Sequence, residues 1–404
     1  MMPDSRPPMS RGLTFLLAIT VAVAVGNLYY LHPLMGTIAR SFQVPESTLG
    51  IAASLAQIGQ TLGMLFLLPL GDIHDRRRLI LLALLCSAVA LLAVTFAPTI
   101  LFLQFAILLV GTATFSTHLT VSYAASLAAP HERGKVVGTV MSGLLIGILA
   151  TRVFSGYVGA LLGWRIVFAI GAGFLVLLTA VLYRLLPQDT PRAGIRYPAL
   201  LRSMWTLWKE LPDLREASLF GSLTFACFGT FWVTLTFHLE GAPFHYGSGT
   251  IGLFGLIGIV GALGASAAGR LADRTNPRFT SGMGIVVLLL AFLVMLAGPT
   301  SVALLIAGIV ILDLGIQATH ISNQSRIYAL DEAARSRINA VYVVTYFAGG
   351  AVGSALGTWV YGWAGWVGVC TLGAIFAGTG IAAFALRSRR RRSLTPADSL
   401  VLAE

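Results

Sequence analysis

Long apolar runs recur along the chain, parted by short polar turns. They lie near residues 12–38, 47–70, 78–97, 100–127, 136–161, 164–186, 214–238, 248–271, 279–297, 300–326, 338–361 and 365–386. Each is close to or above the ~20 residues with which an α-helix crosses a bilayer. The alternation of apolar and polar residues over ten-residue stretches that marks a membrane β-barrel does not occur. The pattern predicts an all-α membrane protein with twelve transmembrane helices. One connection is long, 187–213. It opens with the turn-formers Pro187-Gln188-Asp189-Thr190-Pro191 and then places Leu201, Met204, Trp205 and Trp208 on one helical face. Such a segment is expected to lie as an amphipathic helix in the membrane interface.

The runs form two sets of six. A charged turn, Leu68 to Arg78, is echoed by Gly269 to Arg278, with Asp72 and Asp273 201 residues apart. Thr117-His118-Leu119 matches Thr319-His320-Ile321, and Gly163-Trp164 matches Gly365-Trp366, both at an offset of 202. Gly26 pairs with Gly229 at 203, and Arg133 with Arg337 at 204. The expected organisation is an N-terminal six-helix bundle (1–186), a linker with the amphipathic helix (187–213), a C-terminal six-helix bundle (214–386) and a basic tail (387–404). Two pseudo-symmetric bundles in parallel orientation suit alternating access, in which one half rocks against the other around a central site.

Composition agrees with a lipid setting: 11% of residues are charged, against about 25% in soluble domains. The net charge of +11 comes from clusters between the runs, which the positive-inside rule explains without a nucleic-acid partner. With the N-terminus inside, 24 of the 27 basic residues fall on the inner side; Arg40, Arg152 and Arg165 are the exceptions. Both termini are therefore expected in the cytoplasm. The first run is long enough to span and lacks a clear cleavage site, so it reads as a membrane helix rather than a signal peptide. Cys86, Cys227 and Cys370 all lie in apolar runs and read as packing residues.

On these residues the chain resembles the major facilitator superfamily over nearly its whole length. The family's loop motif is a glycine, three residues, an aspartate, an arginine and further basic residues. Asp72, Arg76 and Arg77 fit it, although Leu68 and Ile73 replace the usual glycine and arginine; Gly269, Asp273 and Arg274 fit more fully. The resemblance implies that these turns, with Arg133 and Arg337, gate one access state. Glu132-Arg133-Gly134 and Gly163-Trp164-Arg165 are similar to the family's fourth-to-sixth-helix region. Gln104 stands near the outer end of the fourth run, where the family often has an arginine linked with proton coupling. Thr151-Arg152 replaces the Gly-Pro common midway along the fifth run of antiporters. Asn27 to Pro33 and Asp313 to Gln317 are similar to bacterial sugar or drug efflux permeases.

Two ionisable residues fall deep inside runs. Arg152 lies 16 residues beyond Val136 and Asp313 lies 13 residues before Arg326. At ~1.5 Å per residue both are about 20–24 Å from the inner face, near mid-membrane. They are expected to pair or share a site across the seam, either as a permanent salt bridge that fixes packing or as a couple that opens for substrate or a proton. His118 and His320 could relay protons or bind substrate; hydrogen-bonded packing is the alternative. Asn27, Tyr30, His32, Trp232, Thr234, Gln317 and Asn323 supply aromatic faces and hydrogen-bonding groups for a mid-sized organic ligand. Glycines at 252, 255, 258, 261 and 264, at 143 and 147, and at 349, 353 and 357 are expected where helices approach closely, with sliding at the seam.

No carboxylate or cysteine accompanies the histidines, so no metal site is expected. No nucleophile–base constellation argues for an enzyme, and no phosphate-cradling loop argues for ATP use. No cofactor is expected. The expectation is a monomeric secondary transporter of the bacterial inner membrane that exports a small organic solute against protons. A proton-linked importer and an uncoupled facilitator are the alternatives.

Overall fold

The computed structural model describes residues 9–129, 132–188, 196–258, 276–331 and 334–393. The second charged turn, with Asp273 and Arg274, lies outside the described residues, as do Gly261 and Gly264. The described residues contain helices and turns and no strand. Helix is forced here because a chain in hydrocarbon must satisfy its backbone polar groups internally.

Small polar residues set the helix starts. Ser10 accepts from the Leu13 amide and starts α1 (Arg11–Gly26). Asp75 accepts from the Arg77 and Arg78 amides and starts α4 (Arg76–Thr95). Between them lie α2 (Met35–Phe42) and α3 (Glu46–Leu62). Thr99 caps α5 (Ile100–Ala113), which runs on through Thr114 into α6 (Phe115–Leu127). Then come α7 (Arg133–Leu162), α8 (Trp164–Leu185), α9 (Tyr197–Glu210), α10 (Pro212–Glu240) and α11 (Ser248–Gly258). Asn276 caps α12 (Pro277–Ala297) and Ser301 caps α13 (Val302–Tyr328). A final run, α14 (Arg335–Ser393), folds at Gly365, where φ is 56°.

Among the described residues nine helical runs are long and apolar enough to cross a membrane, one of them folded at Gly365; α1 and α11 are shorter apolar helices. Counting the folded run twice, this accommodates the twelve expected segments. Two of those segments are not simple helices. The first stops at Gly26, turns, makes a 3-10 turn over His32–Leu34 and resumes as α2. Pro33 excludes a regular helix through residues 29–33, because it has no N–H and its ring clashes with the carbonyl one turn back. The second loosens into a π turn over Gly63–Leu67 and a 3-10 turn over Leu68–Asp72, at Pro69.

The repeat is written in the backbone. Gly163 and Gly365 both take positive φ, as do Gln43 and His245, and each pair is 202 residues apart. Arg133 donates from Nε to the Ala125 carbonyl, and Arg335 from Nε to the Tyr328 carbonyl. The structural counterpart of Arg133 is thus Arg335, at the same offset of 202, and not Arg337 as expected. In each half the first helix packs along the fifth: α1 on α7, and α10 on α14. Gly143 and Gly147 sit on the backbone of Ala18 and Ala22, and Gly349 and Gly353 on that of Ser222 and Ala226. These glycines pack within a half rather than at the seam.

One end of the molecule carries the charged turn, α9 and most of the arginines; we call it the basic face. There Glu216 is fully buried between Arg278 (2.8 Å) and Arg326. The Arg278 guanidinium also covers Phe384 at 4.5 Å, tying α10, α12, α13 and α14 together.

Candidate functional site

A cavity of about 750 Å³ lies between the halves. Its walls follow helical periodicity. From α7 it takes Met141, Ile148 and Arg152; from α10, Phe225, Phe228 and Trp232; from α13, Asp313, Gln317 and His320. Each set falls at the three- and four-residue spacing that puts side chains on one helix face. Tyr29 from α1's end, His118 from α6 and Tyr346 from α14 complete the middle. The cavity runs to the basic face, where Asp72, Arg76 and Arg337 line it with Leu200 and Met204 of α9.

The opposite end is closed by contacts between halves. Thr236 Oγ1 donates to the His32 carbonyl at 2.9 Å, and Ser248 Oγ to the Gly156 carbonyl at 3.2 Å. Arg40 approaches Glu240 at 3.8 Å. The Glu240 carboxylate also lies against Gly36, where no Cβ would fit. α11 meets α7 backbone to backbone, and a Cβ at Gly252 would come within 2.5 Å of the Arg152 carbonyl.

Arg152 is 3% exposed, and its guanidinium carbon lies 3.5 Å from the Trp232 ring centre, with Tyr29 at 5.3 Å and Phe228 at 6.0 Å. Its Nε and one terminal nitrogen are buried without a hydrogen-bond partner. Asp313 is half-buried in the same cavity. The two share the space but form no ion pair. Of the expected alternatives, a pair or a shared site, this arrangement is the shared site, with the guanidinium resting on the indole face in an aromatic cage. A cation over a desolvated aromatic face gains about 2 kcal/mol, against ~2.5–3.5 kcal/mol for a charge at mid-membrane on insertion scales. Stacking thus meets much of the cost of holding Arg152 there.

The other expected site residues divide. His118, Trp232, Gln317 and His320 line the cavity. His118 lies edge-on to Phe347 at 5.9 Å, and His320 Nδ1 is 3.1 Å from the Tyr342 hydroxyl. Asn27, Tyr30, His32, Thr234 and Asn323 are not among the cavity's lining residues. Thr234 is two residues from Trp232, about 200° around the helix, and bonds back to the Thr230 carbonyl. Tyr30 packs edge-on to Phe168 at 5.9 Å. Asn323 accepts from Ser281 and donates to the Ala217 carbonyl. Asn27 is buried in the break after α1, and His32 serves the closed end through its carbonyl. Missed by the sequence reading were Tyr29, Phe228 and Tyr346. Val25–Tyr29 and Phe225–Phe228–Trp232 carry the helical spacing that could have found them.

Of the gating candidates, Arg76 donates from Nε to the Gly71 carbonyl at 2.9 Å and lies 3.5 Å from Asp72. Arg77 instead turns outward to α8, donating to the Tyr183 carbonyl and covering that ring at 5.4 Å. Arg133 is exposed at the start of α7, donating to the Ala125 carbonyl of α6, and Arg337 stands at the cavity mouth. On α9, Leu200 and Met204 form the buried face, while Trp205 is exposed and stacks on Trp208 at 5.2 Å. The helix thus floors the cavity, a task its amphipathic pattern did not disclose. Among the described residues no group of His, Cys, Asp or Glu could hold a metal ion.

A two-half helical bundle around a central cavity, closed at one end, is a recurrent transporter architecture, and comparison with known proteins agrees. A bacterial homologue of the human lysosomal transporter Spinster, solved in an inward-facing and unoccupied conformation, superposes with a TM-score of 0.75 at 15% identity, covering 96% of this chain and 100% of that one. The uncharacterized transporter YgaY of Escherichia coli O157:H7 is 42% identical over 369 residues, 91% of this chain and 94% of its own. The 3-(3-hydroxy-phenyl)propionate transporter of Escherichia coli K12 is 28% identical over 412 residues, 98% of each chain. The family model of the Major Facilitator Superfamily matches residues 17–330. The chain belongs to that superfamily: it is a multi-pass membrane transporter of a solute and not an enzyme.

Proposed function

We propose that the protein is a proton-coupled secondary transporter of a small organic solute, working by alternating access as a monomer in a bacterial inner membrane. The basic face is then cytoplasmic with both termini, and the cavity described above is open inward. The observation that carries this reading is the placement of Asp313 and Arg152, opposite charges near mid-membrane in one cavity and unpaired. A structural salt bridge would be closed. A carboxylate facing the cavity, its counter-charge engaged elsewhere, is instead available to take a proton from one side and release it to the other.

Efflux is the direction expected from the sequence, and it requires proton and solute to compete for the site. Proton-linked uptake is favoured by a specific observation: the unpartnered donors belong to Arg152, whose face rests on Trp232 and not on Asp313, so a solute on Arg152 and a proton on Asp313 can be held together. Proteoliposomes with a trapped pH indicator test the coupling. Solute added to the outside at low external pH is expected to acidify the lumen, and Asp313→Asn is expected to abolish that acidification while solute still binds. Unchanged proton movement in Asp313→Asn would remove Asp313 from the pathway.

A further inference from the structure

We infer that the solute is an organic monocarboxylate with a planar apolar body, seated with its carboxylate on Arg152 and carried together with one proton on Asp313. This inference rests on the proton-coupled reading above and adds the substrate class to it.

The argument begins with the guanidinium. It lies 3.5 Å over the Trp232 ring, so one face is occupied, while two of its edge donors have no hydrogen-bond partner. The N–H donors of a guanidinium lie in its plane, and two of them match the two oxygens of a carboxylate. Here Nε and a terminal nitrogen are buried and without acceptors. Buried donors without partners are rare in folded proteins, and an anion brought into the cavity is one group that would satisfy them. Among the described residues no carboxylate forms a hydrogen bond or ion pair with Arg152. The walls beside it are Tyr29, Phe228 and Trp232. Flat apolar surfaces flanking a bidentate donor select a flat apolar body attached to the anion.

α11 fixes how Arg152 and Asp313 are set. A Cβ at Gly255 would meet the Arg152 side chain at 2.9 Å, and one at Gly258 would lie 3.1 Å from the Asp313 carboxylate. The two charges thus pass neighbouring steps of one helix, close enough for one ligand to be sensed by both. Charge counting then links solute to proton. Empty, the site holds one positive and one negative charge and is neutral. With an anion alone it carries a net negative charge, and with a cation alone a net positive charge, either of which is costly at mid-membrane. With an anion on Arg152 and a proton on Asp313 it is neutral again. The proton comes from water on the side of entry, rests on a carboxylate oxygen of Asp313 and leaves to water on the other side. No bond to the solute is made or broken. The titratable groups that share the cavity's middle with Asp313 are Arg152, Tyr29, His118, His320 and Tyr346; Asp72, Arg76, Tyr328 and Arg337 stand at its mouth.

The test compares three molecules of one shape: 3-phenylpropionate, its neutral amide 3-phenylpropionamide, and the cation 3-phenylpropylamine. Binding to the full chain in lipid nanodiscs is read by isothermal titration, and transport by tracer uptake and lumen pH in proteoliposomes. The carboxylate is expected to bind at least tenfold more tightly than either isostere. Arg152→Gln is expected to lose that preference, and Arg152→Lys to recover part of it. One proton is expected to enter per carboxylate, at a rate unchanged when the membrane potential is clamped at different values. The comparison among the three probes needs no variant, so a misfolded Arg152→Gln does not spoil it. Equal binding of amide or amine, no binding of the carboxylate, or an Arg152→Gln variant that keeps the preference would overturn the substrate class. Proton movement driven by the amine would do so while leaving proton-coupled transport intact. Carboxylate uptake without any proton would leave the anion site standing and overturn the coupling.

Discussion

Glu216 is the carboxylate on which the basic end of the C-terminal half closes, fully buried and held by Arg278 and Arg326. Removing one member of a buried charge cluster leaves the others uncompensated. Glu216→Gln is expected to destabilise the protein by about 3–5 kcal/mol, read as a lowered thermal midpoint of the purified protein in detergent. A midpoint unchanged within error would mean that solvent or lipid headgroups satisfy the arginines. At this scale the sequence was a partial guide. That Arg152 and Asp313 would share the central cavity was legible because a charge inside a twenty-residue apolar run must face the protein's interior. Their lack of pairing was not, because the competing partner is the face of Trp232, which only packing brings beneath the guanidinium. Tyr30 and Thr234 were chosen for their chemistry and fell on the wrong side of their segments. Tyr29 and Phe228, with the right rotation, were passed over.

Between elements, the contact that keeps the far end shut is the approach of α11 to α7 at Gly252 and Gly156. A side chain at Gly252 has no room beside the Arg152 carbonyl, so Gly252→Val is expected to push the two helices apart at that end. With Cys86, Cys227 and Cys370 replaced and a single cysteine at Ser248, labelling by a membrane-impermeant thiol reagent from the closed side should speed up several-fold in Gly252→Val. An unchanged labelling rate would show that this packing does not hold the end closed. Apolar runs placed the helices well, since burial and the bilayer demand them. They could not show that the first run breaks after Gly26, although Pro33 carried the warning. Nor could they show that α9 floors the cavity with Leu200 and Met204, since an amphipathic pattern says that one face is covered and not by what.

For the molecule as a whole, the proposed alternating access requires the closed end, an interface between halves, to open in every cycle. A short bis-methanethiosulfonate crosslinker joining cysteines at Gly36 and Glu240 is expected to stop transport, and reduction of the disulfides it forms to restore it. Full transport in the crosslinked protein would exclude a rocking motion about this cavity. The two-half plan was legible because Gly163-Trp164 and Gly365-Trp366 repeat in type as well as place. The Gln43 and His245 pair shares its backbone conformation but not its chemistry, so only the structure shows it. Which end stands open was not legible at all, since one sequence must serve both states. The same offset of 202 has an evolutionary consequence. It sets Arg152 opposite Ser354, and Asp313 opposite Gly111. A dimer of identical half-length chains would carry the same residue at both members of each pair: two arginines or two serines, two aspartates or two glycines. One arginine facing one aspartate, each unmatched in the other half, is an arrangement closed to such a dimer and open only to halves whose sequences have diverged.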